Sequence, residues 1–134
     1  MTTIFAKIIN GEIPCNKIYE DDYILAFLDI TPLAKGHTLV IPKEAHENIY
    51  DIPTQTLKNI MPGLQHVAKA VKKATKAEGI SILQRNGKAA GQEVMHIHFH
   101  IIPRFNNDTI EEWHGAQAEK EDLIYMQELI QREV

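Results

Sequence analysis

Apolar residues change their spacing several times along these 134 residues, and each change marks an element. Between Thr3 and Ile9 the apolar set Ile4, Phe5, Ile8, Ile9 has helical spacing, and Asn10-Gly11 closes it as a turn. After Pro14, two short apolar runs, Lys17 to Tyr19 and Tyr23 to Leu28, flank the acidic triplet Glu20-Asp21-Asp22, which predicts a β-hairpin. Gly36 to Ile41 reads as a further strand stopped by Pro42, so the three form a plausible antiparallel meander.

From Thr54, the expected N-cap, the residues Leu57, Ile60, Met61, Leu64, Val67, Ala68 and Val71 recur every three or four positions. That is the stripe of an amphipathic helix, and it is the strongest periodic signal in the chain. Pro62-Gly63 lies inside it and predicts a kink or a delayed regular part, while Gly79 is placed to terminate it. Ile80 to Gln84 then predicts a strand, residues 86–92 a small-residue loop, Met95 to Pro103 another strand, and Glu121 to Glu133 a C-terminal helix carrying Leu123, Ile124, Met126, Leu129 and Ile130. No internal repeat or linker interrupts the chain, so residues 1–134 are expected to form one domain. The predicted class is α+β: about five antiparallel strands, one long helix on the core face, and short N-terminal and C-terminal helices.

Composition narrows the function classes. A net charge of −4 and a pI near 5.9 give no field to hold a long nucleic acid, so any nucleotide bound is expected to be small. The lysines between Lys69 and Lys76 alternate with small residues as on a solvated helix face. No apolar span reaches membrane length, one cysteine (Cys15) excludes an intrachain disulfide, and the N-terminus lacks the basic and apolar regions of a secretory signal. A cytoplasmic address is the simplest expectation. Cys15 has no base beside it in the sequence that would make it a nucleophile.

The chemistry sits in His96-Ile97-His98-Phe99-His100-Ile101-Ile102. Strand alternation turns Ile97, Phe99 and Ile101 towards a core and sets three imidazoles on one surface, with successive Cα atoms about 6.6 Å apart. Packing alone does not explain three histidines at strict period two. An imidazole can attack phosphorus if one ring nitrogen is kept unprotonated, and neighbouring imidazoles can bind the nonbridging oxygens. By spacing alone a His-x-His zinc or iron site is a serious rival.

The run from His96 to Ile102 resembles the His-φ-His-φ-His-φ-φ signature of the histidine triad family. So, in the right order, do the segments Ile4 to Pro14, Phe27 to Pro32, Gly36 to Lys43, and Ala90-Gly91-Gln92; the likeness covers residues 3–104. It is strongest to the nucleotide-binding branch, homodimers that hydrolyse purine nucleoside phosphoramidates and acyl nucleotidylates to nucleoside monophosphates. The resemblance implies that His98 attacks the α-phosphorus, that a nucleotidyl-histidine is hydrolysed by water, that His96 and His100 flank the phosphate, and that His37 supports the triad from a neighbouring strand. It also implies a purine slot made by Phe5, Ile8, Ile13, Phe27 and Ile30, with Asp29 accepting from the ribose hydroxyls. Gly91, Gln92, Glu93 and Val94 would line the phosphate side. The homodimer would form across the long helix and the fourth strand, and no cofactor is implied.

The departures are informative. Where some bacterial relatives carry a zinc-holding Cys-x-x-Cys pair, this chain has Thr3 and Ala6, so no metal is expected. Arg85, followed by Asn86, stands where relatives often place an amide before the glycine-rich loop. Glu93 stands where many have a hydroxyl donor, and an ionised carboxylate cannot donate; backbone N–H groups of residues 87–91 are the expected compensation. His46 is expected at the edge of the site and His66 on the surface. Trp113-His114 lies in the part that in this branch can reach the partner's site. Two other functions share the resemblance: hydrolysis of dinucleoside polyphosphates, and a regulatory nucleotide-binding scaffold whose hydrolysis is incidental.

Overall fold

The computed structural model describes residues 2–110 and 115–134. Trp113 and His114 lie outside the described residues. Among the described residues the elements follow in the order α1 (Ile4–Ile9), β1 (Lys17–Glu20), β2 (Ile24–Leu28), β3 (Thr38–Pro42), α2 (Thr54–Thr75), β4 (Gly79–Leu83), β5 (Phe99–Arg104) and α3 (Lys120–Gln131), with a 3₁₀ turn at Lys88–Ala90. The five strands form one antiparallel sheet in the order β1-β2-β3-β5-β4. The expected α+β class and strand number are therefore observed.

Alternation along the strands divides the apolar residues between the two faces. Ile24, Ala26 and Leu28 of β2, Val40 of β3, and Phe99 and Ile101 of β5 pack with Ile60, Leu64, Val67, Ala70 and Val71 of α2, and with Met126 and Ile130 of α3. On the opposite face Leu25, Phe27, Leu39 and Ile41 form a smaller cluster with Phe5 of α1. Coverage on both sides is why β2 and β3 are buried at every position rather than alternately. No helix among the described residues is long and apolar enough to cross a membrane.

Three features of α2 differ from expectation. Thr54 is the first residue of α2, and Pro53, whose ring holds φ at −61°, takes the capping position without a side-chain bond. Pro62 neither breaks nor delays α2, because Pro62 and Lys58, whose carbonyl loses its helical donor, are both exposed to water. Gly63 is needed where α2 crosses the hairpin: a Cβ there would lie 2.6 Å from Cδ1 of Ile24. At the other end α2 stops before Gly79. Lys76 turns left-handed (φ 58°), and Ala77 folds back to donate to the Lys72 carbonyl at 3.2 Å. Ala77 is thereby buried, and Gly79 is freed to begin β4 opposite Arg104.

Candidate active site

The histidine segment is only partly a strand. β5 begins at Phe99, and the residues before it have left the sheet ladder, with the Ile97 N–H donating to the His46 carbonyl at 2.8 Å. Ile97, Phe99 and Ile101 enter the large core as alternation requires. The histidines, however, do not share one open surface. His96 is 1% exposed and His98 8%, while His100 is half-buried.

Each ring is fixed by a partner that dictates its tautomer. A carbonyl can only accept, so His96 donates from Nε2 to the Pro42 carbonyl (2.8 Å), and His98 donates from Nδ1 to the His96 carbonyl (2.8 Å). Burial pushes both below the ordinary histidine pKa, so both are neutral near pH 7. The proton on Nδ1 of His98 leaves an unprotonated lone pair on Nε2, the condition for attack. For His96 the remaining nitrogen, Nδ1, is buried without a hydrogen-bond partner among the described residues. His96 therefore does not flank an accessible site here: its backbone carbonyl orients His98, and its ring packs edge-on to Phe5.

His37 comes from the loop ahead of β3, which wraps around it. Its backbone N–H donates to Ala34 and its carbonyl accepts from Asp29, while the Leu33 N–H donates to Nδ1 at 3.0 Å. Gly36, at φ +94°, makes this turn possible, and a Cβ there would meet Cγ2 of Thr75 at 2.6 Å. With Nδ1 accepting, neutral His37 carries its proton on Nε2, 3.0 Å from Nδ1 of His100 and 3.5 Å from Oδ2 of Asp29. His100 thus accepts at Nδ1 and presents an N–H at Nε2. Burial is the main cause of the low His37 pKa, opposed by Asp29 and reinforced by Arg85. The contact with Asp29 is accordingly one between a neutral ring and a carboxylate. His100 falls to about 3, through burial first and then its neighbours His98, His37 and Arg85.

Asp29, His37 and His100 bring one potential ligand atom each within 4.8 Å of one another. A metal on Nε2 of His37 would move the ring proton to Nδ1, where it would face the Leu33 N–H. The donor set as hydrogen-bonded here suits a chain of neutral imidazoles better than a cation.

A model of the HIT domain matches residues 10–107. The chain belongs to the HIT family. Among its relatives, an uncharacterized HIT-like protein of Methanocaldococcus jannaschii is 50% identical over 105 residues, covering 78% of this chain and 81% of that one. The adenosine 5′-monophosphoramidase HNT1 of Saccharomyces cerevisiae is 50% identical over 101 residues, 75% of this chain and 61% of the yeast protein. The crystal structure of a Hit-like protein involved in cell-cycle regulation from Bartonella henselae superposes with a TM-score of 0.92 at 44% identity, covering 99% of this chain and 97% of that one.

Within this HIT domain the expected nucleoside residues are only partly brought together. Phe5, Phe27, Ile8 and Val94 share the smaller cluster, with the Phe5 ring edge-on to Phe27 and 4.9 Å from the His98 ring. Ile13 is half-buried and Ile30 is 60% exposed; neither belongs to the cluster. The carboxylate of Asp29 accepts from the N–H and hydroxyl of Thr31, an Asx-turn legible in the sequence as Asp-x-Thr.

The glycine-rich segment of the HIT domain is turned on itself. Gln92, 2% exposed, accepts from the Gly87 N–H and donates to the carbonyls of Glu47 and Val94. Asn86 accepts from the Ile49 N–H and donates to Gln84. Both amides hold loops together. The N–H groups of Ala90 and Gly91 also close within the loop, so with Gly87 three of the five expected phosphate donors are occupied. Glu93 and Gly91 are exposed. His46 is half-buried and paired with Glu44, and His66 is exposed against Tyr19. Cys15 is half-buried beside the smaller cluster, and burial pushes its thiol up, against nucleophile chemistry. The residues that set the tautomers, the carbonyls of Pro42 and His96 and the Leu33 N–H, were invisible beforehand because every residue type offers the same backbone groups.

Proposed function

We propose that this HIT-family chain is a nucleotide hydrolase in which Nε2 of His98 attacks the α-phosphorus of purine nucleoside phosphoramidates and acyl nucleotidylates. One observation carries the reading: the His98 Nδ1–H···O=C bond to His96, which leaves Nε2 unprotonated in a buried, neutral ring. The new N–P bond forms as the bond to the leaving group breaks, and water then cleaves the nucleotidyl-histidine to the nucleoside monophosphate. The Nε2–H of His100 binds a nonbridging oxygen as charge builds, held in place by His37. Phe5, Phe27, Ile8 and Val94 line the base, with Ile13 and Ile30 closing on it when nucleotide binds, and Asp29 turns to the ribose. The name of the yeast relative supports the substrate class. No metal or other cofactor is required, so the rate should be insensitive to EDTA.

The test is to trap the covalent intermediate and map it. A nucleotidyl group on His98, absent from His98→Asn, supports the reading; full turnover by His98→Asn overturns it.

The assembly belongs to the same proposal. An open depression of about 350 Å³ lies away from the histidines, between α2 and the edge strand β4, lined by Met61, Leu64, Gln65, Ala68, Ile80 and Ile82. Met61 and Ile82 are 42% and 48% exposed on it. An apolar groove beside an unpaired strand edge suits a second copy of the chain. A solution mass of two 15.2 kDa chains is expected at micromolar concentration, and a monomer would refute the dimer.

A further inference from the structure

Attack by His98 leaves a charge in a buried place. Once Nε2 is bonded to phosphorus the ring still holds its Nδ1 proton, so the nucleotidyl-imidazole is a cation, on a residue 8% exposed. The group that meets this charge directly is the His96 carbonyl, 2.8 Å from Nδ1. Burial lowers the His98 pKa and the His96 carbonyl opposes it, as a partner of the protonated ring should.

That carbonyl belongs to the His96–Ile97 peptide, and the N–H of the same peptide donates to the His46 carbonyl at 2.8 Å. The His46 carbonyl belongs in turn to the His46–Glu47 peptide, whose N–H donates to Oδ2 of Asp51 at 3.2 Å. Three hydrogen bonds therefore run in one direction, from Nδ1 of the nucleophile through two peptide groups to a carboxylate. Each bond in such a file polarises the next, so an anion at its end makes the His96 carbonyl a better acceptor. The Asn48 N–H, and after it the Glu47 N–H, hold the Asp51 carboxyl below its ordinary pKa, so it is ionised at pH 7.

Gln92 fixes where the middle of this file lies. Its side chain is 2% exposed and donates from Nε2 to the Glu47 carbonyl at 2.6 Å and to the Val94 carbonyl at 3.0 Å. One amide thus ties residue 47 to the chain that leads into the histidine segment, while its oxygen is taken by the Gly87 N–H at 2.7 Å. A second brace, from the Ile49 N–H to Oδ1 of Asn86 at 2.8 Å, holds the same turn to the glycine-rich segment. Asp51 closes its own turn through the Asn48 N–H on Oδ1 at 2.9 Å; Oδ2 is the atom that ends the file.

We infer that Asp51 and Gln92 are positioning residues for the nucleophile, acting through the His46–Glu47 and His96–Ile97 peptides to aim and polarise the carbonyl that holds the His98 ring. The inference rests on the proposed attack by His98. Neither side chain needs to touch the substrate: Gln92 sets the geometry of the peptides, and Asp51 supplies the charge at the far end.

The experiment compares wild type, Asp51→Asn and Gln92→Ala by kcat and KM on adenosine 5′-phosphoramidate and by nitrogen–proton NMR of the His98 ring. Asp51→Asn keeps an acceptor oxygen for the turn and removes the charge. Its kcat should fall roughly three- to tenfold with KM within about twofold, and the Nδ1 proton of His98 should move upfield as its bond to His96 weakens. Gln92→Ala should lower kcat roughly ten- to a hundredfold, the range for groups that orient a reacting ligand, with His98 no longer held in the Nδ1-protonated tautomer alone. Asp51 is exposed, so Asp51→Asn decides by itself where loss of the buried amide unfolds the protein. An unshifted His98 spectrum in Asp51→Asn, whatever its kcat, overturns the inference and leaves the proposed function standing; so does a shifted spectrum with unchanged kcat. A wild type that turns over no phosphoramidate, or that carries the His98 proton on Nε2, overturns both.

Discussion

The two faces of the sheet use the same strands for opposite purposes. On the helix face, β2, β3 and β5 meet α2, 22 residues and about 33 Å long, over the larger apolar cluster. On the histidine face, α1 has only six residues, the cluster beneath it is small, and the remaining area carries four imidazoles and Asp29. Stability is concentrated on one side so that the other can hold buried polar groups. Those groups are tolerated because each ring has a hydrogen bond to backbone or to another ring; among the described residues Nδ1 of His96 is the fully buried side-chain atom left without a partner. An orphaned lone pair on a neutral ring is the mildest such defect available.

Adjacent residues test this division most directly. His98→Asn should lower turnover at least about a thousandfold, roughly 4 kcal/mol of transition-state stabilisation, while AMP binding stays largely intact. Ile97→Ala, one residue earlier and fully buried on the helix face, should instead cost about 2–5 kcal/mol of folding stability, read from the denaturant midpoint. Its kcat should be nearly preserved in the molecules that remain folded. If the two variants exchanged phenotypes, the division of labour between the faces would be wrong.

Acid probes the histidine face alone. His37, His96, His98 and His100 are all lowered by burial, so between pH 6.5 and their folded pKa values the unfolded chain binds protons that the folded one refuses. Their contribution is complete above about pH 6.5 and is lost as pH falls, by up to about 1.4 kcal/mol per pH unit for each histidine. Denaturant melts at pH 7.5, 6.5 and 5.5 should show a flat upper limb and a falling lower one; a flat response down to pH 5.5 would contradict the burial of these rings.

The smallest effect expected is that of His37, which acts through His100. His37→Gln should lower kcat about tenfold, in the range of lost orienting contacts to a reacting group. It should also raise the His100 pKa, since His37 is one of the groups that lower it. Ring-proton NMR of His100 distinguishes this from a simple packing defect, which would leave the titration in place.

Much of this was legible beforehand. The stripe of α2, the hairpin, the core-facing trio Ile97, Phe99 and Ile101, and the grouping of Phe5 and Phe27 all follow from periodicity or motif order, because the side chain's character decides where it can lie. The ends of α2 were less legible. A proline can replace a polar cap and a lysine can turn left-handed when packing on both sides demands it, as at Pro53 and Lys76. The roles of Gln92 and Asn86 were also hidden, since a loop amide near a site looks the same whether it faces a ligand or ties the loop together.

By itself the amino-acid order determined that three histidines would stand opposite an apolar trio on one segment, ahead of a sheet built to hold it, because alternation is a property of the backbone and of each residue's affinity for water. Which ring nitrogen is left unprotonated was a different matter. Protons on imidazole nitrogens answer to whichever carbonyl or N–H the fold brings within 3 Å, and those came from Pro42, Leu33 and His96 itself. Only tertiary structure decided that His96 is buried support and that His98 keeps a free nitrogen.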